Sequence, residues 1–252
     1  MKSAVFLPLI MTCLFIMIWD VSVRCSRTEI FPGPLNVVRG LIELGSNGLL
    51  IKYLVASLFR VSWGFTLATL VGVPFGLSMG WFRYMREAFN PLIQAFRPIS
   101  PIAWIPVAIL WFGISDAAPI FLIFLASVFP ISVSAAAAVQ SVPTVYLRAA
   151  QNFGLNWRQL TWRVILPATF PQILTGLRIA LGVAWLVVVA AEMIAVNSGL
   201  GYLIIDARNA GKRYDLVVAG MIIIGITGWL LDLIMRQAER LPAVRWAYGA
   251  RS

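Results

Sequence analysis

Apolar residues run through this chain in long blocks instead of alternating with polar ones. Six blocks stand out, at residues 4–21, 62–82, 99–114, 117–139, 175–196 and 216–235. A helix needs about 20 mostly apolar residues to cross the hydrocarbon core of a bilayer. The pattern therefore predicts an all-α polytopic membrane protein with about six transmembrane helices. Residues 24–52 break the pattern with Pro32, Pro34, Gly40, Gly45 and Gly48, which predicts irregular structure around one short helix near residues 35–44. A short amphipathic piece at 51–60 leads into the second block and puts Arg60 at the membrane interface.

Small residues mark two of the blocks. Gly64, Ala68, Gly72, Gly76 and Gly80 recur every four positions in the second, and Gly176, Ala180 and Ala184 do so in the fifth. Such stripes let helix backbones approach closely. Tight packing within one subunit and a sliding surface in a moving transporter are both compatible with the first stripe. The second fits packing against the first stripe or against another subunit. Pro74 marks a point where the second span can kink. The third block is interrupted by Pro101 and Pro106 and preceded by Pro98. Proline-broken helix at membrane depth survives only where protein or a water-filled cavity covers the freed backbone groups. The segment is thus either a pathway lining or a span entered through a bend.

Composition supports the membrane reading: 60% of residues are apolar, 12% are charged and the mean hydropathy is +0.87. Soluble domains carry roughly 25% charged residues. The net charge of +10 is dispersed through short loops beside apolar spans, with no separate basic domain, so it marks orientation and not nucleic-acid binding. Arg83, Arg86 and Arg97 outweigh Glu87, three arginines occupy 140–172, and Arg236, Arg240, Arg245 and Arg251 outweigh Glu239. These loops read as cytoplasmic, the turn at Asp116 as external, and both termini as inside. The loop with Asp206, Asp215, Arg208, Lys212 and Arg213 is the least decided by charge. The first apolar run is longer than a signal-peptide core, which favours a retained span. Cys13 and Cys25 are too few for a disulfide framework.

Catalysis finds little support. The chain has no histidine, the commonest general base and metal ligand, and no phosphate-binding loop of the glycine-rich Lys-Ser/Thr type. No metal site or cofactor is expected, and energy must come from a partner subunit or an ion gradient.

The organising feature is the polar stretch 147–167. Gly154 can end a first short helix. Asn156 can cap a second, with Gln159 at the capping-box spacing, and this second run is expected to stop before Pro167. Two short helices with Ala149, Ala150 and Gly154 at their junction make a compact knob that a partner surface can close over.

Arg148-Ala-Ala150, Gly154 and Val164-Ile-Leu-Pro167 together resemble the EAA loop of ABC importer permeases. Ile109-Leu-Trp-Phe-Gly113 and the run from Ala190 to Leu203 are similar to the nitrate, sulfonate, taurine and bicarbonate branch of that family. The resemblance covers about residues 53–240. It implies a type I importer permease fold whose loop is a coupling helix docked into a cytoplasmic ATPase subunit, through Arg148, Ala149, Ala150, Gly154, Ile165, Leu166 and Pro167. It also implies two ATPase subunits, a second permease subunit forming a homodimer, an external binding protein, and a bacterial inner-membrane location. ATP hydrolysis falls to the ATPase, so this chain is not an enzyme. The domain division that follows is 1–52, a first helix and external connection; 53–240, the transport domain; and 241–252, a cytoplasmic tail. The rival reading is an ion-gradient-driven secondary transporter or channel, which would more often show inverted internal repeats.

One departure is sharp. The family's glutamate falls on Arg148, and Val164 replaces an isoleucine. Docking is expected to survive, because the turn depends on the small residues, Gly154 and Pro167. Within the spans, Arg178 and Glu192 are the pathway or gate candidates, with Asp232 beside them. Arg178 can attract an anion or snorkel to the interface. Glu192 can pair with a base on a neighbouring helix or shape a gate.

Overall fold

A computed structural model describes residues 3–26 and 31–239. Among these residues the regular structure is entirely helical. In chain order the α-helices are α1 (Ser3–Ser26), α2 (Pro34–Ser46), α3 (Leu49–Trp81), α4 (Arg83–Phe96), α5 (Ile105–Phe112), α6 (Ala117–Gln140), α7 (Thr144–Asn152), α8 (Trp157–Leu160), α9 (Leu166–Ala195), α10 (Leu200–Gly211) and α11 (Tyr214–Glu239). A 3₁₀ turn, Pro101–Trp104, precedes α5, and a π turn, Thr161–Ile165, joins α8 to α9. The expected tail at 241–252 lies outside the described residues.

Among the described residues, four helical runs are long and apolar enough to cross a bilayer: α3, α6, Trp157–Ala195 and α11. A fifth results if α4 and the Pro101–Phe112 segment, bent by 84°, count as one span. The proline-broken segment expected at 99–114 forms a 3₁₀ turn and the short α5, entered through a bend. Ser100, directly before Pro101, is extended at φ −59° and ψ 131°, as a residue preceding proline tends to be. The chain then restarts a short helix. The eight residues of α5 rise only about 12 Å, well short of the roughly 30 Å hydrocarbon core. The separate lead-in at 51–60 is also absent. Neither glycine nor proline interrupts that stretch, so it belongs to one 33-residue helix, α3, which continues through Pro74.

Helix α6 is the centre of the bundle, clamped between α3 and α9. A Cβ added at Gly76 would lie 2.3 Å from the Ser132 carbonyl oxygen, so any side chain there forces α3 away from α6. Gly64, Gly72 and Gly80 meet the same helix. In the fifth-span stripe Gly176 faces Ser134 of α6, while Ala180 shares one buried cluster with Ala68 of the second-span stripe. Both stripes therefore serve packing inside one subunit. Ala68 and Ala180 close the layer with Val128 and Ile131. Helix α5 covers another side of α6 through Ala108, Leu122 and Ala126, and touches α9 at Val187 and Ala191.

Helix α11 returns antiparallel to α9. The Trp185 indole N–H donates to the Ile224 carbonyl at 3.1 Å, and Arg178, nearer the start of α9, reaches Asp232, nearer the end of α11. The bundle thus has two ends. One carries α7, α8 and the start of α9; the other carries Asp116, the α9–α10 turn and the start of α11.

Candidate functional site

At the first end, the stretch 147–167 folds into a knob. Helix α7 closes with Gly154 N–H donating to Gln151 O at 2.9 Å and Leu155 N–H donating to Ala150 O at 3.1 Å. This is the Schellman arrangement, and it needs the left-handed residue that Gly154 supplies at φ +69°. Two residues on, Asn156 Oδ1 accepts from Gln159 N–H at 3.0 Å while Gln159 Oε1 accepts from Asn156 N–H at 3.1 Å. The capping box is thereby complete. The second run, however, does not stop before Pro167. It passes through the π turn into α9, with Pro167 in the first turn of that helix. The missing N–H of proline costs little there, and a widened turn relieves the carbonyl that its ring would otherwise strike. The knob is therefore joined to a membrane helix without a loop.

The knob's inner side is apolar. Ala150, Leu160 and Ile165 are buried with Val139, and Leu147, Leu155 and Val164 pack around them. The Trp157 ring lies 4.7 Å from that of Trp81 and 5.9 Å from that of Phe82, tying the knob to the end of α3. The outer side is exposed: Ala149 and Arg148 face solvent, and Phe153 is 83% exposed. Arg148 has no hydrogen-bond or ion-pair partner among the described residues.

At the opposite end lies a cluster that sequence reasoning missed in its central member. Arg60 is 1% exposed, enclosed by protein. Its Nη1 donates to Glu192 Oε1 and to the Ser198 carbonyl, each at 2.7 Å. Its Nε and Nη2 donate to Asp116 Oδ1 at 2.8 and 2.7 Å, and Nη2 also reaches the Ser198 hydroxyl. Glu192 Oε2 accepts from the Ser57 hydroxyl at 2.8 Å and from Gly201 N–H at 3.0 Å. Ser57 in turn accepts from Leu200 N–H at 2.9 Å.

One guanidinium thus holds four segments: α3, the α5–α6 turn, the end of α9 and the start of α10. Gly199 makes room for it. At φ +108°, a Cβ there would sit 2.3 Å from the Glu192 carboxyl carbon. A sequence signal for this cluster exists. Arg60 lies four residues before Gly64, and Glu192 eight after Ala184, so both small-residue stripes run into the ion pair.

Arg178 sits elsewhere. It is about 21 Å from Glu192 along α9 by helical rise, in a bidentate pair with Asp232 at 2.6 and 3.2 Å and near Glu239 at 3.3 Å. Arg236 shares Asp232 at 2.9 Å. A cavity of about 390 Å³, lined by Arg178, Gly182, Trp185, Gly228 and Asp232, opens beside the pair. The two span residues singled out in the sequence are therefore not brought together, and each is neutralised by its own partners.

A bundle of helices long and apolar enough to cross a bilayer, with a solvent-facing knob at one end and a buried ion cluster at the other, defines a multi-pass membrane protein. The family described as binding-protein-dependent transport system inner membrane component matches residues 72–241, and the chain belongs to it. It is the permease subunit of an ABC importer, a transport component and not a catalytic one. The taurine transport system permease protein TauC of Escherichia coli is 40% identical over 230 residues, covering 88% of this chain and 82% of that protein. The nitrate import permease protein NrtB of Synechococcus elongatus is 33% identical over 255 residues, covering 95% and 91%. The fold is shared with an inward-facing MetNI methionine ABC transporter at a TM-score of 0.68 and 18% identity, over 78% of this chain and 97% of that one.

Proposed function

We propose that this permease carries a small anion or sulfonate-type solute of the nitrate, sulfonate, taurine or bicarbonate class, delivered by an external binding protein. The taurine and nitrate relatives support that class. Two copies of the chain form the pathway, and two ATPase subunits dock on their knobs. Residues 53–240 make the transport domain, α1 supplies the sixth span, and both termini lie in the cytoplasm of the bacterial cell. The dispersed basic loops support this orientation.

The observation that carries the coupling role is the knob itself. Arg148, Ala149, Ala150, Gly154, Ile165, Leu166 and Pro167 form one capped unit, which exposes Phe153 and continues into α9. A push on the tip is transmitted along α9 with no flexible joint, and α9 carries both Arg178 and Glu192. Glu192 acts as a gate element: moving the end of α9 requires its bonds to α3 and α10 to rearrange together. Arg178 sets the spacing of α9 and α11 beside the adjacent cavity. Arg148 faces solvent and leaves docking intact.

Affinity purification of the tagged chain in mild detergent tests the reading. The ATPase subunit is expected to co-purify, and uptake into vesicles is expected to require ATP. Uptake that persists without ATP, with no ATPase bound, would sink it.

A further inference from the structure

The end of the bundle opposite the knob holds a second feature that neither docking nor gating uses. A cavity of about 590 Å³ is lined by Val23 of α1, Phe31, Asn36, Arg39 and Glu43 around α2, and by Lys212, Arg213 and Asp215 between α10 and α11. Its charges are unevenly matched. Arg213 donates to Glu43 Oε2 at 2.6 Å and to Asp215 Oδ2 at 2.8 Å, and these carboxylates, Asp215 foremost, hold its guanidinium above the ordinary arginine range. Both acids are thereby engaged. Arg39 and Lys212 have no acid partner among the described residues, and three cations against two acids leave the cavity lining net positive by one charge.

Two further observations say what such a cavity takes. Lys212 is held at φ +50°, the left-handed region usually given to glycine, and no other described non-glycine residue has a positive φ. It is the left-handed cap that ends α10, and it fixes the lysine at the cavity edge. Beside the cavity, α2 turns Leu35, Val38 and Ile42 outward, at 64%, 49% and 66% exposure, on the helix that also carries Arg39. An apolar helix face next to a basic mouth is the signature of a helix lying in the membrane interface. A free inorganic anion has no use for that apolar face, whereas a lipid covers both surfaces at once.

We propose that this cavity binds the phosphodiester headgroup of an anionic phospholipid in the leaflet opposite the knob. Arg39 and Lys212 contact the phosphate, and the acyl chains lie along Leu35, Val38 and Ile42. The lipid bridges α2 to the α10–α11 turn and fixes the start of α11.

Native mass spectrometry of the purified chain with phosphatidylglycerol tests the site. Wild type is expected to retain the lipid. Arg39→Gln is expected to retain about fivefold less, and Arg39→Gln/Lys212→Gln about 25-fold less, at roughly one interfacial charge contribution per residue. Both side chains are exposed, and the double variant is expected to melt with wild type, which separates a lost site from a lost fold. Lys212→Gly, which keeps the backbone and removes the charge, is expected to match the single loss. Equal lipid retention by wild type and double variant overturns the proposal. So does displacement of the lipid by inorganic phosphate at millimolar concentration, which would identify the site as one for a free anion.

Discussion

The knob and the ion cluster occupy opposite ends of the same helix, α9, and are built on opposite principles. The knob is held by bonds between near neighbours in sequence, a Schellman turn at Gly154 and a capping box at Asn156, and it leaves Phe153 in solvent. The cluster joins segments distant in sequence, Arg60 and Glu192 being 132 residues apart, and buries its central pair, with the Arg60 and Glu192 side chains 2% and 0% exposed. Local bonding gives a rigid shape that needs no partner to form, which suits a docking surface. Long-range bonding among charges gives a contact that is costly to disturb in part, which suits a lock that opens as a unit.

Substitutions can break this contrast, and the cluster should yield the largest effects. Arg60→Met leaves the Glu192 carboxylate buried without its cation, a loss of roughly 3–5 kcal/mol for removing one partner of a buried pair. The expected outcome is a sharply lowered melting temperature in detergent. Arg60→Met/Glu192→Met should recover much of that loss, since apolar replacements of a whole buried pair are often neutral. Failure of the double variant to recover anything would show that the pair is not acting as one unit.

Gly199→Ala should cost somewhat less. It places a methyl against the Glu192 carboxylate at a φ of +108°, and overpacking of this kind costs about 1–3 kcal/mol. The variant is expected to melt earlier and to transport slowly, while still binding the ATPase as well as wild type.

The knob should respond the other way round. Phe153→Asp alters an exposed side chain and should change stability by no more than about 0.5 kcal/mol. Pull-down of the ATPase subunit, however, should fall to background. Retained binding by this variant would move the docking surface away from the α7–α8 turn.

Smallest of all is the expected effect of Arg148→Glu. The residue is exposed and without a hydrogen-bond or ion-pair partner among the described residues, and an exposed charge contributes on the order of 0–1 kcal/mol. ATP-driven uptake should stay within about fivefold of wild type by that figure. A large gain would instead mark the arginine as a defect in the loop.

The same contrast explains what could be read from the sequence. The knob was legible because its determinants are local: a glycine that takes positive φ, an asparagine and glutamine at capping spacing, and alanines at the junction. The apolar blocks that became α6 and α11 were legible because burial in lipid demands continuous hydrophobicity. Three features were not. The shortness of α5, eight residues, was hidden by the span-like hydropathy of its block, although Pro98, Pro101 and Pro106 announced the bend. The passage of α8 through a π turn into α9 defeats the expectation that Pro167 ends a helix. The burial of Arg60 was hidden because hydropathy weighs an arginine alone, without the acids that Asp116 and Glu192 bring from distant segments. Its register with the Gly64 stripe is the clue that a helix-face reading recovers.

The central claim is that this permease is driven by force applied at the knob and relayed along α9. ATP-driven uptake measured in vesicles containing the permease, its ATPase and its binding protein tests it most directly, with wild type compared against Phe153→Asp. The account predicts normal insertion and melting of the variant with uptake reduced to the ATP-free background. Uptake by the variant at the wild-type rate, or wild-type uptake that continues without ATP, would contradict it.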